Sequence, residues 1–235
     1  HYTKQTSHLI KKEHFMLTIC IATNGRSTFE YCERSVLETC GDTPVIVVKN
    51  KSRKRALELF IEQCKTPYFL RVDDDFIFHP KAINYIKYCA HTKINPNMGM
   101  MYWMLWEDCS EKVVKSVKMY SINALKQIGG FQYDKYSGKE DVDTRKAIGR
   151  KFEIKPDKSV VAIHSVGTKK EELDYVSLWE RNAPCPSKYE KLRLKYRLAY
   201  TKSIEYQYGL RTNFIDDLNK QKNTNFWKYL SEHQY

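Results

Sequence analysis

Between residues 16 and 78 the chain alternates continuous apolar runs with segments whose apolar residues recur every three or four positions. Met16-Leu17-Thr18-Ile19-Cys20-Ile21-Ala22 is a run of the first kind, as in a strand buried on both faces. It breaks at Thr23-Asn24-Gly25-Arg26. Ser27-x-x-Glu30 has capping-box spacing, and Tyr31, Val36 and Leu37 carry a helix to Gly41. Pro44 precedes a second strand, Val45–Val48. A second helix spans residues 53–64 with Ala56, Leu57, Phe60, Ile61 and Cys64 along one stripe. Thr66-Pro67 ends it, and a third strand from Tyr68 runs into Asp73-Asp74-Asp75. Strands alternating with helices of this length predict an α/β fold, a mostly parallel, doubly wound sheet flanked by helices. Ligands of such sheets bind at the carboxyl ends of strands, where both Thr23–Arg26 and Asp73–Asp75 fall.

Further along, Pro80 opens a helix with Ile83, Ile86 and Ala90 inward. Met98–Trp106 and Val113–Tyr120 read as strands. Ile122–Ile128 reads as a short helix ended by Gly129-Gly130, and a polar loop leads to a helix opened by Glu140-Asp141-Val142-Asp143. Val160–Ile163 reads as a short strand ending at His164. Residues 165–186 form a connection long enough to be a lid. A basic helix with Tyr189, Tyr196 and Tyr200 follows over Ser187–Tyr208, and short helices around Phe214–Leu218 and Phe226–Leu230 close a helical C-terminal appendage. The organisation predicted is an extension or trimmed start over 1–14, a core over 15–168, and a lid with a basic helical region over 169–235.

Three adjacent carboxylates inside an apolar stretch repel one another and disfavour a strand, so a ligand is expected to offset that cost. Residues two apart in an extended chain share a face. Asp73 and Asp75 are therefore candidates for a hard-oxygen site that takes a divalent cation. The 235 residues carry a formal charge of +12, spread over both halves, which favours polyanions: nucleic acid, an anionic membrane surface or phosphorylated small molecules. No apolar run is long enough to span a membrane. Seven scattered cysteines without a Cys-x-x-Cys argue against a disulfide framework and a structural zinc site. They suit the cytoplasm, or the host's cytoplasm for a viral protein.

The order Ala22-Thr23-Asn24-Gly25-Arg26, Val72-Asp73-Asp74-Asp75, Ile128-Gly129-Gly130-Phe131, Gly138-Lys139-Glu140-Asp141-Val142-Asp143 and His164 resembles the GT-A glycosyltransferases, the family-2-like group above all. The resemblance covers roughly residues 15–168. It implies a Rossmann-like nucleotide-binding core and a metal-dependent, inverting sugar transfer from a nucleotide-sugar donor, a UDP-sugar by preference. By the same resemblance Asp75 binds Mn²⁺ (or Mg²⁺) directly, Asp73 the donor ribose or a metal-bound water, Asp74 shares either task, and His164 is a third metal ligand. Asp141 matches the general base. Its carboxylate neighbours Glu140 and Asp143 are expected to raise its pKa, and Glu140 is expected to hold a sugar or acceptor hydroxyl. Helix capping is the plain alternative for this acidic cluster.

Thr23, Asn24 and Arg26 fall in the loop that cups the nucleotide, and Lys51, Arg53 and Arg55 could reach phosphate. Lys49-Asn50 stands where uridine-binding members often carry an acidic residue, which leaves the base open. Trp103, Trp106, Gly129 and Gly130 are the candidate substrate contacts, with core packing an alternative for one tryptophan. A hydroxymethylated pyrimidine in DNA is the acceptor that suits the basic balance and the 187–208 helix. A cell-surface glycan or lipid-linked acceptor with peripheral membrane contact, a metal-dependent nucleotidyltransferase and a non-catalytic binder are the alternatives.

Overall fold

The computed structural model describes residues 16–26, 28–107, 112–133, 140–164 and 212–233. The expected lid and the basic helix of 187–208 lie outside them, as do Ser27, Gly138 and Lys139. The elements run β1 (Leu17–Thr23), α1 (Phe29–Cys40), β2 (Val45–Lys49), α2 (Arg53–Gln63), β3 (Tyr68–Asp73), β4 (Phe76–Phe78) and α3 (Ala82–Thr92). They continue with β5 (Met98–Glu107), β6 (Lys112–Ser121), α4 (Ile122–Gln127), α5 (Glu140–Gly149) and β7 (Glu153–His164). Two C-terminal helices, α6 (Asn213–Gln221) and α7 (Asn225–Glu232), complete it.

The strands form one seven-stranded sheet in the order β2-β1-β3-β6-β5-β7-β4. The expected parallel pairing holds for β2–β1–β3. Beyond β3 the sheet is mixed, because β6 and β5 pair antiparallel while β5 and β7 pair parallel. The mixed half departs from the mostly parallel sheet expected, and two further features differ. β7 is 12 residues long, its polar first half hidden in the sequence by Lys155-Pro156-Asp157-Lys158. β4 is a three-residue strand antiparallel to β7, setting Phe76 opposite His164.

That small strand governs the shape of the molecule. β3 and β4 stand four places apart in the sheet yet only Asp74 and Asp75 separate them in sequence. Four strand spacings in a flat sheet would be about 19 Å, and three extended residue steps reach only about 11 Å. The sheet therefore curls until its far edge meets the end of β3. The acidic triplet is the bridge across that closure, which brings His164 to it.

Alternation along the strands divides the core into two layers. Ile19, Ile21, Leu70 and Val72 face α1 and α3, together with Trp103 and with Ile215, Phe226 and Leu230 of the C-terminal helices. Cys20, Phe69, Met100 and Tyr120 face the other way, against Leu57 and Phe60 of α2, Leu125 of α4 and Ile148 of α5. Each such large side chain contributes about 1.5–3 kcal/mol on burial. Asn219 fastens α6 to the sheet, since its side chain accepts from Val160 N (2.9 Å) and donates to Val160 O (2.8 Å). Gly129 and Gly130 end α4 with φ of 81° and 91°, the left-handed region a side chain resists. The next residues aim the chain at α5: Phe131 packs on Phe69 and Tyr120, and Gln132 N donates to Thr144 Oγ1 at 2.9 Å.

Candidate active site

Two acidic groups meet at the carboxyl end of β1 and β3, and each has its own set of cations. The first centres on Arg71, which shares its strand face with Phe69 and is almost wholly buried. A guanidinium in such a place must be paired. Arg71 donates to Asp73 Oδ1 (2.9 Å), Asp141 Oδ1 (2.6 Å) and Glu140 Oε1 (3.2 Å). Lys118, in register with Arg71 on β6, donates to Asp141 Oδ2 at 2.7 Å. Like charges opposite one another on neighbouring strands repel, and Asp141 reconciles them by accepting from both. Arg53 closes the group with an ion pair to Glu140. Arg71 and Lys118 escape a motif search, but a lone Arg in the apolar run Tyr68-Phe-Leu-Arg-Val was itself a signal of a buried ionic partner.

This network corrects two expectations. Burial pushes the Asp141 carboxyl up, but Arg71 and then Lys118 outweigh it, so its pKa lies below the usual carboxylate value and not above it. Asp73 opposes this without reversing it, and the neighbouring Glu140 is itself paired with Arg53 and Arg71. Glu140 is buried (3% exposed) between Arg53 and Arg71 and has no face for a sugar hydroxyl. Asp141, at 29% side-chain exposure, and Asp73, at 39%, are the reachable members. Asp73 lies at the rim; burial opposes its charge, yet Arg71, Arg53 and Lys118 hold its carboxyl well below the usual range.

The second group centres on Asp75. Its Oδ2 meets Arg26 Nη1 at 2.5 Å and His164 Nε2 at 3.0 Å. Its Oδ1 is buried with no hydrogen-bond partner among the described residues. Burial disfavours the charge, but His164 and Arg26 still keep the pKa below the ordinary value. Glu107, buried in β5 and in register with His164, stands 3.7 Å from His164 Nδ1, within ion-pair reach. Carboxylates behind a ring in this way orient metal-ligating histidines. Asp74 points elsewhere, accepting from Thr23 Oγ1 at 2.7 Å, and burial first, with Asp75 adding, raises its pKa. Asn24 is exposed at the rim, beside Gly25, whose φ is 82°.

Among the described residues no group of three or more His, Cys, Asp or Glu side chains is disposed to hold a metal ion. Asp75 and His164 come together as expected, while the Asp73 carboxylate is engaged by Arg71. The donor set still suits a divalent cation held by two protein ligands, because the orphaned Asp75 Oδ1 is a hard oxygen beside an imidazole. The tryptophans divide. Trp103 is fully buried in the core, which corrects its expected role in sugar stacking. Trp106 is partly buried and packs edge-on against Phe214, ring centroids 4.9 Å apart.

No protein-family model and no curated protein matches the chain. Solved structures do. The mannosyltransferase PcManGT from Pyrobaculum calidifontis, in complex with GDP-Man and Mn²⁺, is 12% identical with a TM-score of 0.52, over 88% of this chain and 75% of that one. TarS 1–349 from S. aureus is 11% identical with a TM-score of 0.50, over 83% of this chain and 74% of that one. At such identity the likeness is one of fold: the chain has the GT-A-type α/β architecture its sequence led one to expect, curled sheet and C-terminal helices included.

Proposed function

We propose that the protein is a metal-dependent, inverting glycosyltransferase that moves a sugar from a nucleotide-sugar donor to an acceptor hydroxyl. The observation that carries this reading is the pairing of two distinct acid centres across the sheet's closure, one with an unfilled buried carboxylate oxygen and one with a reachable carboxylate. The fold shared with a mannosyltransferase solved in complex with GDP-Man and Mn²⁺ supports it. Asp75 and His164 would hold the cation. When bound, it would neutralise charge on a departing diphosphate, Lewis-acid work that needs no proton donor.

The chain's own residues do the rest. Asp141, ionised at neutral pH because Arg71 and Lys118 favour its charge, takes the proton of the acceptor hydroxyl. The acceptor oxygen bonds to the anomeric carbon as the bond to the diphosphate oxygen breaks, so one displacement inverts that carbon. Arg71 and Lys118 fix the carboxylate while it acts. Arg26 is a counter-charge for Asp75 and for the diphosphate, and Thr23 and Asn24 line the nucleotide edge. The acceptor we assign is a hydroxymethylated pyrimidine in DNA, supported by the net charge of +12.

The test is nucleoside-diphosphate release from a panel of UDP-, GDP- and dTDP-sugars with Mn²⁺, with and without DNA containing hydroxymethylcytosine. We expect release with at least one donor, its loss in chelator, and a fall of about 10²–10⁴-fold in Asp141→Asn. Pyrophosphate release from a nucleoside triphosphate and a sugar phosphate, with no diphosphate release from any donor, would overturn the reading in favour of a nucleotidyltransferase.

A further inference from the structure

Behind Asp141 the same helix continues into a groove that the chemistry above does not use. Arg145, Lys146 and Arg150 of α5 line it, with Ile154 and Pro156 of β7 as its floor and Tyr102 of β5 at its side; its volume is about 570 Å³ and it is open to solvent. No carboxylate lines it. Lys146 has only a 4.0 Å approach to Asp143, and Arg145 and Arg150 have no ion pair or hydrogen bond among the described residues. This differs sharply from the active-site cations, each of which is matched to an acid. Lys115 stands over the Tyr102 ring at 5.7 Å, adding a fourth positive charge at the same edge.

The spacing relates the groove to the base. Residues four apart neighbour one another along a helix, so Asp141, Arg145 and Gly149 form one stripe, with Lys146 and Arg150 beside it. At 1.5 Å rise per residue, Arg145 lies about 6 Å and Arg150 about 13 Å along the axis from Asp141. A nucleic-acid strand carries one phosphate about every 3.4 Å of helix axis. The groove therefore offers cations over about 7 Å, the length of about two phosphate spacings, beginning one helical turn from the carboxylate. Tyr102 is only 8% exposed, so the groove has apolar floor and positive rim but no open ring for a base to stack on.

We propose that this groove binds the phosphodiester backbone of a nucleic-acid acceptor, without reading its sequence, and delivers the acceptor hydroxyl to Asp141. The delivery rests on the glycosyltransferase reading; the binding itself does not. The full-length protein is titrated into a fluorescein-labelled dT20 strand and a 20-bp duplex, following anisotropy at several salt concentrations. Arg145→Gln/Lys146→Gln/Arg150→Gln is compared with Lys65→Gln/Lys222→Gln/Lys228→Gln, which removes the same charge at exposed sites elsewhere. Circular dichroism and the donor-induced thermal shift show that both variants fold.

Every phosphate that the protein no longer neutralises reduces the slope of log K against log salt by about 0.7–0.9. The groove variant is expected to bind about 10-fold or more weakly, with that slope smaller by about two, and the control to weaken by under about 3-fold. Equal weakening in the two variants, no binding by the parent, or equal competition by heparin at matched charge would each overturn the proposal. Because donor release is scored separately, a dead groove with active donor turnover rejects this inference alone. A binding groove with no turnover of any donor rejects the glycosyltransferase reading alone.

Discussion

Asp75, just beyond β3, and Asp157, within β7, are both buried carboxylates, and they are treated in opposite ways. Asp157, in the first half of β7, has both of its oxygens engaged. Its Oδ2 accepts from Tyr85 Oη (2.7 Å), Lys93 Nζ (3.1 Å) and Asn225 Nδ2 (3.3 Å), and its Oδ1 from Ser159 N (3.0 Å). Those donors come from α3 and its C-cap, from α7 and from β7 itself, so one carboxylate ties three segments together. Asp75 has one oxygen shared by Arg26 and His164 and the other left bare. A buried carboxylate with both oxygens engaged explains itself as architecture, whereas a bare buried oxygen asks for an explanation, which the cation site proposed above supplies.

The most forceful way to break that contrast is to remove each carboxylate in turn. Asp157→Ala strands the Tyr85 hydroxyl, the Ser159 amide and the Lys93 ammonium, and breaking such a buried pair costs about 3–5 kcal/mol. For a chain of this size that lowers Tm by about 6–20 °C. Asp75→Asn keeps the shape and removes a charge burial disfavours, so its stability should stay within about 1 kcal/mol while nucleotide-sugar turnover falls about 100-fold or more. Thermal melts of the two variants decide it. If Asp75→Asn melts as early as Asp157→Ala, Asp75 is as structural as its counterpart and the active-site assignment loses its main support.

A weaker perturbation sharpens the same contrast. Mn²⁺ should raise the melting temperature of the parent, by the equivalent of about 2.7 kcal/mol when present at about 100 times its dissociation constant. Asp75→Asn and His164→Ala should each abolish the shift. Asp157→Asn, destabilised but with its rim intact, should retain it. An undiminished shift in Asp75→Asn would place the cation somewhere else.

The residues on the two sides of this comparison were unequally legible in the sequence. β1 and β3 announce themselves because strands buried on both faces are continuous apolar runs, against which Asp73, Asp75 and His164 stand out, while β2 shows as a short apolar run at the sheet edge and Asp141 is marked only by the acidic opening of its helix. What could not be read was how far apart those strands end up in space. β4 has three residues, too few for any periodicity, yet its pairing with β7 curls the sheet and delivers His164 to Asp75. Arg71 and Lys118 stayed hidden because their meaning depends on a cross-strand register, and without them the acidic cluster at Asp141 looks self-repelling when it is in fact neutralised. Trp103 is misread for a related reason: on a strand covered on both sides, alternation does not separate a core face from a ligand face. Asp157 was hidden in the polar stretch that disguised the start of β7.

Asp74 supplies the smallest effect and the finest discrimination, since it lies between the two kinds of carboxylate. It accepts one good hydrogen bond, from Thr23, but burial and the adjacent Asp75 and Asp73 oppose its charge more than Thr23 and Arg26 favour it, so its folded pKa is raised. A raised folded pKa means that the native state gains relative to the unfolded chain as the proton binds. That stabilisation is complete below the unfolded value of about 3.9 and is lost as pH rises through the folded pKa. Asp73, Asp75, Asp141 and Asp157 run the other way, their contribution present above about 3.9 and lost as pH falls through their lowered values. Asp74→Asn keeps an acceptor for Thr23 and removes the charge. It should therefore stabilise the protein at about pH 7 by under about 1.5 kcal/mol, the scale of a single hydrogen bond. The gain should shrink toward zero as the melts are repeated at falling pH, where the parent's Asp74 takes up its proton. A variant less stable than the parent at neutral pH, or a gain that grows in acid, would show that Asp74 belongs with Asp157 as a satisfied structural charge.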